Sequence, residues 1–81
     1  MPTAHTSLPP PYDALLAPAD LARYGDALPA RQADALRLRW AGFMYAQIGA
    51  RLGMSTPSAY NTVIRACEHL YYIKQRAERL P

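Results

Sequence analysis

Asn61 and Arg65 carry the most specific recognition chemistry in the chain. An Asn amide can pair bidentately with the edge of adenine, and an Arg guanidinium with that of guanine. The two stand four residues apart, so one turn of helix puts both on the same face. Thr56, Pro57, Ser58 and Tyr60 precede them on the same outward arc, and Thr or Ser hydroxyls can donate to bases or phosphates. Upstream, Tyr45, Gln47 and Arg51 are placed to meet a sugar-phosphate backbone, as Arg37 and Arg39 could be. Ser55 is a further candidate, with a second role open to it as a helix N-cap, and Thr56 could serve only to support the turn. Backbone N–H groups at such a helix start can also hold a phosphate.

Other chemistries find little to work with. Cys67 is the single cysteine, so it has no internal disulfide partner and suits a reducing cytoplasm. His5 and His69 are too far apart to form a zinc ligand set, and no metal or cofactor is expected. Cys67 and His69, two apart on a helix, point to different faces and make no nucleophile–base pair. With few carboxylates and no paired acid and base, the chain is not expected to be an enzyme. Nor does it hold an apolar run long enough to cross a membrane, and its start lacks the basic end and apolar stretch of a signal peptide. A cytoplasmic location is expected.

Charge points the same way as the candidate residues. Residues 1–28 hold Arg23 against Asp13, Asp20 and Asp26, a net of −2. The remaining residues, 29–81, hold eight arginines and lysines against Asp34, Glu68 and Glu78, a net of +5. A basic body suits a polyanionic partner.

The elements that must position these residues are helical. With 81 residues and half of them apolar, the chain is one small domain. Residues 1–17 read as a proline-rich flexible arm in which residues 12–16 form a turn of helix. Pro18 starts a helix ending near Tyr24 or Ala27, anchored by Leu15, Leu21 and Leu28 and frayed at Gly25. Pro29 starts the next, which runs to Ala41 with Leu28 as a staple. It is apolar on two sides, which makes Trp40 a core anchor and sandwiches the helix between neighbours. Gly42 stops it, and Phe43 packs beneath the helix that begins near Tyr45.

Residues 45–65 then read as helix, turn, helix. Ile48 and Leu52 share a face, Gly53 accepts a left-handed backbone, Met54 plugs the corner, and Pro57 sits in the next first turn. Gly49 lets the two helices approach closely. Ala59, Val63 and Ala66 line the second helix's inner face. No glycine or proline interrupts residues 58–80, so the helix extends through 66–80 with apolar or small residues in an alternating four-three spacing. Leu70, Ile73, Ala77 and Leu80 continue that seam. They either fold against the helix near residues 20–28 or pair with a second copy of the chain, and a homodimer is the favoured expectation. The fold expected is all-α: a small bundle of four to five helices containing a helix-turn-helix, with a long C-terminal helix. The domain spans 18–81.

Residues 28–70 resemble region four of bacterial sigma factors and the related wingless response-regulator helix-turn-helix domains. The matching pieces are Leu28-Pro29-Ala30-Arg31-Gln32, Leu36-Arg37-Leu38-Arg39-Trp40, Gly42-Phe43 with Tyr45 and Ile48, and Arg51-Leu52-Gly53-Met54-Ser55. The resemblance implies double-stranded DNA as partner, with the second helix in the major groove. It departs from the family pattern where basic residues are common: Tyr60, Thr62 and Cys67 stand there, leaving Arg65 as the only Arg or Lys between Arg51 and Lys74. Met44 replaces a usual Ser or Thr cap, and Ala59 a larger branched residue. Fewer phosphate contacts imply weak non-specific binding and a shallow salt dependence. The function expected is a sequence-specific transcriptional regulator. By analogy with small standalone proteins of this type it would be a repressor or late-gene regulator of a phage, plasmid or mobile element. The alternative is a protein-interaction module that binds RNA polymerase or another regulator. A nucleoid or packaging accessory protein is a third reading.

Overall fold

Element boundaries follow from caps and turns that the sequence supplies. The computed structural model describes residues 8–79. It contains α1 (Tyr12–Leu15), α2 (Pro18–Tyr24), a 3-10 turn (Gly25–Ala27), α3 (Ala30–Trp40), α4 (Tyr45–Leu52) and α5 (Thr56–Arg79). The all-α bundle with a helix-turn-helix and a long last helix is as the sequence leads one to expect. At the start of α2 the Asp20 carboxylate accepts the Ala17 N–H at 2.8 Å. Pro29 precedes α3 in extended geometry, where its missing N–H costs nothing. Gly42, at φ 105°, ends α3 by letting the Phe43 N–H turn back onto the Leu38 carbonyl at 3.1 Å.

The 24-residue α5 is the spine. It packs on α3 and α4 and also on α2 and α1, which its later residues Lys74 and Tyr71 reach. Leu36 of α3, Ile48 of α4, and Val63, Cys67 and Leu70 of α5 are fully buried together. Ala35, Ala59 and Ala66 fill the gaps between them. Each large apolar side chain so buried contributes about 1.5–3 kcal/mol. Trp40 is only partly buried and packs at the rim of this core, as do Leu38 and Phe43. Among the described residues no helix is long and apolar enough to cross a membrane.

Several expectations change. Packing begins at residue 8 rather than 18: Leu8 and Leu16 are core residues, and Leu16 rather than half-exposed Leu15 anchors this stretch. The rest of the arm, residues 1–7, lies outside the described residues. Gly25 does not fray; it is buried, with space for a side chain closed off by Leu21. Cys67 is packed in the core, as its place on the helix leads one to expect.

The C-terminal seam also closes on its own chain. Leu70 is fully buried and Ile73 is partly buried against the core, whereas Ala77 is exposed. Leu80 lies outside the described residues. Lys74 fixes the arrangement: its Nζ reaches the Asp20 carboxylate at 3.1 Å and the Leu15 carbonyl at 3.1 Å. Tyr12 meets Tyr71 edge-on, with ring centroids 6.3 Å apart. Of the two partners considered for this seam, the chain's own core takes its central residue. Leu70 therefore has no surface to offer a second copy.

Candidate nucleic-acid interface

The turn between α4 and α5 is built from backbone. Gly53 takes the left-handed conformation at φ 72°, and the N–H groups of Gly53 and Met54 both return to the Gly49 carbonyl. Arg31 of α3 donates to the exposed Leu52 carbonyl at 2.7 Å, tying the turn to the preceding helix. Gly49 permits a close approach, but of the turn rather than of the second helix: a Cβ there would stand 2.5 Å from the Met54 carbonyl oxygen. At the start of α4 the Gln47 side chain accepts the Met44 N–H at 2.8 Å, while Met44 has no oxygen to return the bond. At the start of α5, Ser55 Oγ accepts the Ser58 N–H at 3.2 Å, so Ser55 does serve as a cap. Pro57 has no N–H, and Ser58's is thus occupied. Of the first helical residues Thr56, Pro57 and Ser58, only Thr56 has an N–H left for a phosphate.

Outward from that turn, Thr56, Pro57, Ser58, Tyr60, Asn61 and Arg65 are all exposed. Ser58, Asn61, Thr62 and Arg65 border one shallow polar depression. Their spacing is that of one helix face, so the fold brings Asn61 and Arg65 together as the sequence implies. Ser58 Oγ receives a bond from Ser55 Oγ at 3.0 Å and keeps its own proton to donate. Thr62, absent from the sequence candidates, joins the site while its hydroxyl donates back to the Ser58 carbonyl at 2.8 Å. Its signal was its position four residues after Ser58. Among the described residues Arg65 makes no ion pair.

The remaining candidates are held in place by their own neighbours. Arg39 does not reach outward: its guanidinium lies 4.3 Å from the Tyr45 ring centroid, and it donates to the Phe43 carbonyl at 2.9 Å. Tyr45 in turn meets Tyr60 edge-on at 5.0 Å. Burial raises the Tyr45 phenol above its ordinary pKa, so the ring stays neutral. Arg51 is exposed with its guanidinium 4.4 Å from the Phe43 ring centroid. Arg37 pairs with Asp34 at 3.0 Å on the surface. His69 turns to Gln32 at 3.3 Å, and burial pushes the Cys67 thiol up to about 12, so it remains protonated at neutral pH.

Residues 20–70 match the family model described as Sigma-70, region 4. The chain belongs to this family. The match spans α3, α4, the turn and the first part of α5, and so contains every candidate DNA contact. No curated protein and no solved structure matches the chain. The sigma-70 region 4 fold is a DNA-binding helix-turn-helix associated with transcription, and domains of this family bind DNA and RNA polymerase. In this region 4 chain the outward start of α5 carries hydroxyls, an amide and one guanidinium, a surface better suited to reading base edges than to gripping phosphates.

Proposed function

We propose that this chain is a sequence-specific DNA-binding regulator of transcription that reads the major groove with the first half of α5. The observation that carries the reading is the exposed depression bordered by Ser58, Asn61, Thr62 and Arg65 at the start of the family's recognition helix. Asn61 and Arg65 are the direct readers. Ser58, Thr56, Gln47 and Arg51 orient the helix on the backbone, Gln47 through the amide nitrogen that its bond to Met44 leaves free. One chain reads one short site; pairing through the seam would need a face other than that of Leu70.

The test is selection of bound fragments from the source genome, followed by affinity against salt. The expected result is one enriched short site, lost on Asn61→Ala or Arg65→Ala with folding intact. Each neutralised phosphate adds roughly 0.9 to the magnitude of the salt slope, so Arg51 as the one cation on a phosphate gives a slope of about −1. No enriched site overturns the reading.

A second reading has its own support. Arg65 is the only guanidinium on the recognition arc, and the Tyr60 and Tyr72 rings are 43% and 58% exposed. These suit a protein surface that contacts RNA polymerase. Loss of polymerase capture in Tyr60→Ala or Tyr72→Ala, with DNA behaviour unchanged, favours this alternative.

A further inference from the structure

We propose that Tyr60 is a specificity-determining residue that reads a thymine methyl group, and that Arg39 is its positioning residue, acting through Tyr45. This rests on the DNA-reading function above and adds to it the base recognised and the device that aims the ring.

Tyr60 stands one residue before Asn61, on the exposed start of α5. It is large, partly apolar and 43% exposed, so its ring is open to a partner. The thymine methyl is the apolar group that an intact duplex displays in its major groove. A tyrosine beside an adenine- or guanine-reading side chain is suited to that methyl, and cannot stack on a base while the duplex is closed.

What separates this ring from a mobile surface tyrosine is its support. Tyr45, at the start of α4, meets it at an interplanar angle of 76°. Aromatic pairs in this edge-to-face arrangement hold one another's orientation. Tyr45 is itself fixed by Arg39, from the last turn of α3. Arg39 has its Nη1 on the Phe43 carbonyl, and its Nε is buried with no hydrogen-bond partner, so the aromatic ring is its remaining neighbour of opposite polarity. A cation free to reach a phosphate would keep its guanidinium in water. Here three elements, α3, the loop after it and α4, converge to orient one ring of α5.

The experiment uses the full chain and the duplex recovered by genomic selection, resynthesised with uracil in place of each thymine in turn, which removes only the methyl. Loss of one buried methyl contact corresponds to about a fourfold change in affinity. The wild type should show that loss at one thymine adjoining the positions lost in Asn61→Ala. Tyr60→Ala should bind the thymine and uracil duplexes equally. Arg39→Lys, which keeps the charge and a donor but not the flat guanidinium, should also lower the thymine-to-uracil ratio towards one. Tyr45→Leu should do the same, and stands in if the Arg39 variant does not fold. A fold defect alone weakens both duplexes together and leaves the ratio unchanged.

A selected site whose binding needs Asn61 and Arg65 but ignores every thymine methyl overturns this proposal and leaves the parent reading standing. An unchanged ratio in Tyr60→Ala does the same. If Arg39→Lys and Tyr45→Leu both keep the full ratio, the positioning role is overturned. Failure of the wild type to select any DNA overturns both readings.

Discussion

The two halves of α5 are one continuous helix put to opposite uses. Residues 56–65 turn hydroxyls, an amide and a guanidinium outward over a buried stripe of Ala59 and Val63. Residues 66–79 bury Ala66, Cys67 and Leu70, and are pinned by Lys74 to α1 and α2. Helix geometry is the same in both. What differs is which neighbours arrive: α3 and α4 cover one side of the first half and leave its other face open, whereas residues 8–24 return to close over the second. An extended recognition helix is thus braced at its far end by the start of the same chain. On the DNA-reading proposal the brace keeps the reading end aimed, because side chains on a well-packed helix are held nearer their working geometry than those on a loop.

If the far half is core, the largest loss of stability should come there. Leu70→Ala should cost about 2–5 kcal/mol in denaturant unfolding. A loss under about 1 kcal/mol would mean that the second half is not braced as described. Next, Gly49→Ala should cost about 1–3 kcal/mol, because its new methyl meets the Met54 carbonyl backbone and the turn must move. It should also weaken DNA binding by displacing the start of α5; a variant with full stability and full binding would show the approach to be loose.

At the reading end the effects should separate. Asn61→Ala and Arg65→Ala should each cost about 1–3 kcal/mol in specific DNA affinity and change stability by less than about 0.5 kcal/mol. Loss of both properties together would erase the distinction between the halves. Lys74→Met should destabilise by about 1 kcal/mol, since the pair with Asp20 is partly exposed and the Asp20 carboxylate keeps its bond to Ala17. With Leu70 internal, a light-scattering series should also stay at 9.0 kDa as concentration rises.

The last effect is one of pH and appears only above pH 9. Cys67 has its pKa raised from 9.0 to about 12 by burial. The unfolded thiol releases its proton above about 9 while the folded one holds it, so the unfolded state binds fewer protons and stability falls as pH climbs from 9 towards 12. Below pH 9 the thiol contributes no such dependence. Cys67→Ala should flatten this alkaline decline, and native chain should resist thiol alkylation at neutral pH. Rapid alkylation of native chain would show that α5 opens locally.

Much of this was legible because it is local. Gly53, Ser55 and Pro57 write the turn in residues whose backbone preferences hold in any context, and the spacing of Asn61 and Arg65 puts both on one face of any helix. The site's supporting contacts were less legible. Arg39 reads as a surface cation until Tyr45 and the Phe43 carbonyl are in place, and Thr62 reads as a family departure until it lines the depression with Ser58. Leu8 was lost in a proline-rich stretch whose composition argues for an arm, although a single leucine is enough to dock once a cleft exists to receive it.

The sequence by itself determined the helix-turn-helix, its capping and the identity of the outward side chains, since these rest on steric limits and hydrogen bonds within a few residues. Only the tertiary structure decided what the apolar seam of α5 meets. A four-three spacing says that one face must leave water, but burial is non-directional and accepts any apolar partner. The return of residues 8–24, fixed by Asp20, Lys74 and the Leu15 carbonyl, settled that Leu70 lies inside its own chain.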